Sequence, residues 1–168
     1  EFAPAAEVGV REPLPVLEPR PRLEWEVGAV ASRAPLGLGQ FLAGPSVTLR
    51  TPGPYTLGGR AAYALTPLPT EGVLLHRFSV QGLAGLQSTA SMGPFLEGAA
   101  GWSLLGVKFR GGIQGDPTVF SAHLAGGLVV NGEQRRVRVG GFIGKDFVTA
   151  NGQQWWESTW GMELSIGL

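Results

Sequence analysis

The chain contains no cysteine, and only 15% of its 168 residues are charged. The absence of cysteine excludes a disulfide framework, a thiolate nucleophile and any Cys-ligated zinc or iron–sulfur site. Thirteen basic residues balance thirteen acidic ones, and no basic run supplies the electrostatic footprint that nucleic acid requires. Lysine occurs only at Lys108 and Lys145, and histidine only at His76 and His123, which leaves little for a His-rich metal site. Long hydrophobic runs are missing as well. Glycine or a polar residue interrupts every apolar stretch short of the roughly 18 residues that a membrane helix needs. A helical span is thereby excluded, whereas a membrane barrel, which crosses with strands, is not.

Glycine is present in excess, with 27 residues, and 43% of the chain is hydrophobic. A soluble domain typically carries about 25% charge and about 7% glycine, so small and apolar residues stand here where surface charge ordinarily would. Of the 13 prolines, Pro4, Pro13, Pro15, Pro19 and Pro21 crowd into residues 1–21 among Glu and Arg. That composition favours an extended polyproline arm over helix or ladder. The chain starts at Glu1 with no charged and apolar leader ahead of it, so a removed signal peptide, or a trimmed start with Glu1-Phe2 as a cloning remnant, is expected. The expected organisation is an arm at 1–21 and one domain at 22–168.

From Arg22 onward the dominant pattern has period two, the signature of half-buried strands. In the last run, Trp156, Trp160, Met162, Leu164, Ile166 and Leu168 alternate with Glu157, Thr159, Gly161, Glu163 and Ser165. The first places Leu23, Trp25, Val27 and Ala29 opposite Glu24, Glu26 and Gly28, and the runs at 55–66, 76–86 and 135–144 behave alike. Runs 40–50 and 118–130 alternate less cleanly. Thr51-Pro-Gly-Pro54, Gln114-Gly-Asp-Pro117, Asn151-Gly152 and above all Asn131-Gly132 mark turns between them; Asn-Gly is the strongest short signal of a type I′ hairpin. Within 94–113 the parity flips after Leu105-Gly106, as a β-bulge in one long strand or a turn between two short ones would produce. With the bulge, eight strands are expected near 22–32, 40–51, 55–66, 73–86, 94–113, 117–130, 134–147 and 154–168.

Eleven charged residues fall opposite the apolar face: Glu24, Glu26, Arg60, Arg77, Glu97, Lys108, Arg110, Arg136, Arg138, Glu157 and Glu163. In a soluble β-barrel or jelly roll, such as a capsid or small-ligand-binding module, the apolar face is core and these charges meet water. In a transmembrane barrel the apolar face meets lipid, and the charges fill the lumen, where they must pair. Periodicity alone does not choose. Three features favour the membrane barrel. The charged face is otherwise Gly, Ala, Ser and Thr, which suits the narrow interior of eight strands. Trp25, Tyr55, Trp155, Trp156 and Trp160 lie near strand ends, where aromatic girdles mark the membrane interfaces. Eleven residues at ~3.3 Å each, tilted about 40°, span roughly 27 Å, close to the apolar band of an outer membrane.

The C-terminal strand Trp160-Gly-Met-Glu-Leu-Ser-Ile-Gly-Leu168, apolar on alternate residues to its end, resembles the assembly signal of bacterial outer-membrane β-barrel proteins. Glycine-rich strands with inward Arg and Glu resemble the small eight-stranded branch, the outer-membrane protein A barrel and its relatives. The resemblance covers about residues 22–168 and rests on pattern. It departs at Leu168, where the family usually has an aromatic residue, and in its short loops. It implies an all-β, single antiparallel up-and-down barrel with eight transmembrane strands, located in the bacterial outer membrane. The implied partners are the lipid bilayer and the barrel-assembly machinery, with a monomer favoured.

Enzymatic outer-membrane barrels that modify lipid use a Ser, a His and an acid. Ser121 and His123 are two apart on one strand and share a face, with Glu97 as a conceivable acid. A catalytic triad needs these groups in a chain of hydrogen bonds, which spacing alone permits without implying. A lumen role for His123 and a strand-end role for His76 weigh more heavily. Gly111-Gly112, Gly126-Gly127 and Gly140-Gly141 lack the strand–loop–helix setting of a phosphate loop and suit barrel curvature. No metal and no cofactor is expected. The function expected is structural, anchoring the envelope without an open pore.

Overall fold

Among the described residues the alternation resolves into nine antiparallel strands: β1 (Glu24–Arg33), β2 (Phe41–Arg50), β3 (Tyr55–Pro67), β4 (Leu74–Gln87), β5 (Met92–Phe109), β6 (Gly112–Gln114), β7 (Thr118–Asn131), β8 (Arg136–Ala150) and β9 (Gln153–Gly167). The structure, a computed structural model, describes residues 23–33, 40–67, 74–109, 112–114, 117–150 and 152–168. The arm at 1–21 and Arg110 lie outside those residues, as do the side chains of 107–109.

With β6 set aside, each strand pairs with the strands before and after it in the chain, and β1 closes on β9. The result is an eight-stranded, all-antiparallel up-and-down β-barrel, with β6 a short hairpin return on the end of β5. Following cross-strand partners once around the barrel leads from Trp156 through Phe147, Phe120, Trp102, Val80, Ala61, Val47 and Val27 to Ile166. The start and end lie ten residues apart on β9. Over eight strands ~4.8 Å apart, that stagger sets a tilt of about 40° and an interior just wide enough for side chains. The jelly-roll alternative fails on this topology, because no strand skips a neighbour as a Greek key demands.

The ladder of β5 to β4 runs unbroken from Gln87↔Phe95 to Leu74↔Lys108. The expected bulge near Leu105-Gly106 is absent: the apolar Leu105 stands at an inward position and is fully buried, so the parity flip is a change of lumen chemistry rather than of backbone. Asn131-Gly132 is not a two-residue type I′ turn either. Asn131 still pairs with Arg136, Gly132 N–H donates to the Arg135 carbonyl at 2.9 Å, and the turn is four residues long. Its Nδ2 is used elsewhere, donating to the carbonyls of Ser88 and Ala90. Gly53 and Gly152 hold the positive φ values of 98° and 75° that turns reserve for glycine. Between β2 and β3 the ladder skips Gly44 and Pro45, since proline brings no N–H.

The turns at 51–54, 88–91 and 132–135 lie at the end of the barrel where Leu168 N–H bonds the Trp25 carbonyl; this is the terminus end, and the opposite one is the loop end. Outside, the apolar parity is exposed: Ile143 67%, Met162 68%, Leu57 63% and Trp102 63%. Inside, Glu97 is 1% and Arg138 2% exposed. The soluble alternative, with its apolar core, is therefore turned inside out by the structure.

Candidate functional site

Inward positions alternate with outward ones along each strand, so the lumen contents follow from strand parity. The terminus-end mouth is framed by an ion pair between Arg136 and Glu24, with Arg136 Nε also donating to Asn131 Oδ1 at 2.8 Å. Deeper lies a balanced cluster of three carboxylates and three guanidiniums. Glu97 accepts from Arg50, from Arg60 Nη2 at 3.0 Å and from Arg138 Nη2 at 3.2 Å. Arg50 Nε reaches Glu26 Oε2 at 3.1 Å, Arg60 Nη1 reaches Glu163 Oε2 at 2.7 Å, and Ser165 Oγ donates to Glu26 at 2.8 Å. The buried Arg138 guanidinium stacks 4.0 Å above the Phe95 ring, a cation–π contact strengthened by that burial. Charges this deep persist only when neutralised and hydrogen-bonded.

A second cluster lies toward the loop end. Arg77 donates to Asp146 Oδ2 at 3.1 Å, Ser121 Oγ at 2.6 Å and Ser103 Oγ at 3.0 Å. His123 lies 3.3 Å from both Asp146 Oδ1 and Gln81 Nε2 and stacks on Phe142 at 5.1 Å. Between the clusters a void of about 30 Å³ is lined by Arg60, Arg77, Gln81 and His123. Beyond them, the lumen turns apolar. Leu42, Ala64, Leu75, Leu105, Val119 and Val148 pack together across the barrel, with Trp155 against them. These residues sit near the loop end of their strands and plug it.

Glycine makes room for the bulky lumen groups. A Cβ on Gly144 would overlap the Ala122 carbonyl and come within 2.6 Å of the His123 ring. A Cβ on Gly140 would meet Phe95 at 2.6 Å. The glycine excess is thus partly the space that Arg, His and Phe occupy.

Of the expected lumen residues, Glu26, Arg60, Arg77, Glu97 and Arg138 are buried inside, and Glu163 is nearly so. Glu24 and Arg136 are half-buried at the mouth, and Glu157 is half-buried where Trp155 Nε1 donates to it at 2.7 Å. Lys108 departs from the expectation: with no bulge in β5 it stands opposite Leu74 at an outward register position, off the lumen face, and Arg110 lies outside the described residues. Sequence reasoning missed Arg50 and Asp146. Both were legible in parity, Arg50 four residues beyond Ser46 and two beyond Thr48 and Asp146 eight beyond Arg138, but the run at 40–50 alternates poorly and the clean run at 135–144 stops short of Asp146.

The Ser121–His123–Glu97 arrangement does not assemble. Ser121 is wholly buried and bonded to Arg77, the acid facing His123 is Asp146, and Glu97 is held in the other cluster by three arginines. His76 lies on the outward face, 3.4 Å from the Tyr63 hydroxyl. Among the aromatics, Trp25, Tyr55, Trp156 and Trp160 are exposed outside. Trp155 corrects the expectation: it faces inward against the plug, because successive strand residues point to opposite faces and Trp156 takes the outer one. Trp102 joins the outer set, packed on Phe120 at 5.0 Å, as Trp156 is on Phe147 at 4.8 Å.

No family model matches the chain, and no curated protein matches it in sequence. Its structure is similar to that of Neisserial surface protein A, at 9% identity and a TM-score of 0.67 over 87% of this chain and 96% of that one. It is also similar to Ail, the attachment invasion locus protein of Yersinia pestis, at 12% identity and a TM-score of 0.54 over 86% and 95%. At such identities the likeness is one of fold, that of the small eight-stranded outer-membrane β-barrels.

Proposed function

We propose that a chain folded as a small eight-stranded barrel, apolar outside and charge-filled inside, is an integral protein of the bacterial outer membrane. In this reading it structures or anchors the envelope and conducts nothing. The observation that carries the reading is the inversion itself: large apolar side chains cover the outer wall while Glu26, Arg50, Glu97 and Arg138 are almost wholly shielded within. In water this arrangement would expose the apolar wall and bury the charges, whereas in lipid both faces are satisfied. The apolar plug and the paired lumen charges support a closed interior. Membrane insertion by the barrel-assembly machinery, a monomeric state and a tethering role for the arm at 1–21 belong to the same proposal.

The test is to fold the protein in detergent and compare migration of boiled and unboiled samples on a denaturing gel, then reconstitute it into planar bilayers. The proposal expects a heat-dependent shift, a requirement for detergent and no conductance above background. Monodisperse folded protein without detergent overturns the membrane reading, and stable conductance steps overturn the closed interior.

A further inference from the structure

The outer wall is not uniformly neutral, and among the described residues its strand charges share one sign. Every acid on a described strand (Glu24, Glu26, Glu97, Asp146, Glu157 and Glu163) occupies an inward-facing position, as their burial and partners show. The outward register positions of the same strands carry Lys108 on β5, Lys145 on β8 and, at the end of β1, Arg33. Lys145 is exposed, and its Nζ donates to Ser158 Oγ at 2.9 Å. No carboxylate among the described residues faces it from β7, β8 or β9.

Lys145 stands one row on the acyl side of an aromatic belt, close enough for its long stem to carry the ammonium to the headgroups. Its cross-strand neighbours are Ala122 and Ser158. On β9 the two diagonal neighbours are Trp156 and Trp160, both outward and 61% and 48% exposed. The row immediately toward the loop end holds Phe120, Phe147 and Trp156, part of the aromatic belt expected where acyl chains give way to headgroups. Arg33 pairs with Phe41 at the last rung of β1–β2, and Phe41 lies edge-on to Trp160 at 4.9 Å. Arg33 therefore sits on the far side of Trp160 from Lys145. An unpaired cation on a lipid-facing wall is costly unless it reaches the interface and finds a counter-charge. Among the described residues none is supplied here.

We propose that Lys145 and Ser158, with Arg33 across Trp160, bind the phosphate of an anionic lipid in the leaflet at the loop end of the barrel. The lysine gives the charge, the serine hydroxyl a further hydrogen bond, and the indoles of Trp156 and Trp160 flank the upper acyl chains. This inference rests on the membrane reading above.

The test is native mass spectrometry of protein folded with an equimolar mixture of phosphatidic acid and phosphatidylcholine, for the wild type, Lys145→Gln and Arg33→Gln. Heat-dependent gel migration checks that each variant is folded. Wild type is expected to retain phosphatidic acid in preference to phosphatidylcholine, and Lys145→Gln to lose about fivefold of that preference, the worth of one cation at a lipid surface. Arg33→Gln is expected to lose part of it. Equal retention of both lipids by wild type, or a preference unchanged in both variants, overturns the site while leaving the membrane reading intact. Displacement of the lipid by excess inorganic phosphate assigns the site to a soluble anion and overturns the lipid assignment. A protein that retains neither lipid and stays folded without detergent overturns the membrane reading itself.

Discussion

Arg60 and Glu97, on β3 and β5 and 37 residues apart in the chain, meet in the lumen with 3.0 Å between Nη2 and Oε1. Glu97 binds two further guanidiniums from β2 and β8, so one carboxylate ties four of the eight staves together. Replacing it with alanine takes from Arg138 its ion pair and from Arg50 and Arg60 one of two each, since these keep Glu26 and Glu163, and the expected cost is about 3–5 kcal/mol. Urea unfolding of detergent-folded Glu97→Ala, followed by tryptophan fluorescence, measures it. An unchanged midpoint would show that the network contributes nothing to stability.

Gly144 and Gly141 lie on the same strand but face opposite ways. A Cβ on Gly144 collides with a backbone carbonyl and the His123 ring, whereas on Gly141 the nearest atom is 3.5 Å away. Gly144→Ala is expected to destabilise by about 1–3 kcal/mol through overpacking, and Gly141→Ala to fall within about 0.5 kcal/mol of wild type. The same unfolding experiment compares them.

Ile143 is among the most exposed apolar residues of the outer wall, at 67%. In a bilayer Ile143→Arg is expected to lose about 2–4 kcal/mol if its position is near the midplane, with a lower yield of heat-modifiable protein in vesicles. A soluble barrel would tolerate the change, and full recovery of folded variant in vesicles would count against the membrane reading.

Ser121 is sealed beneath Arg77, and the hydrogen bonds of His123 run to Asp146 and Gln81. His123→Ala and Ser121→Ala are each expected to leave the lipids of cells producing the protein unaltered, as measured by mass spectrometry of lipid extracts. A modified lipid that disappears in either variant would restore the hydrolase reading.

The strands and the barrel class were legible because alternation is a local property. Two faces of opposite chemistry along 22–168, with turns at Thr51–Pro54 and Gly152, leave few arrangements that bury one and cover the other. The partners of those residues were less legible. Glu97, Ser121 and His123 share the inward parity, yet the ten-residue stagger of the closed barrel carries Glu97 beside Arg50, Arg60 and Arg138 and brings Asp146 to His123. Leu105 suggested a bulge because an apolar residue at an inward position looks like a slipped register until Leu42, Leu75, Val119 and Val148 are seen around it.

The sequence by itself determined that the chain is all-β, which residues share each face, and that few charges must share the face opposite the apolar one. Those follow from the two-residue repeat of a strand, which depends on nothing distant. Only the tertiary structure decided which face is inside, how the charges divide between two clusters, and that the loop end is plugged by apolar side chains. Periodicity is blind to inversion, and closure with its stagger sets every long-range pairing.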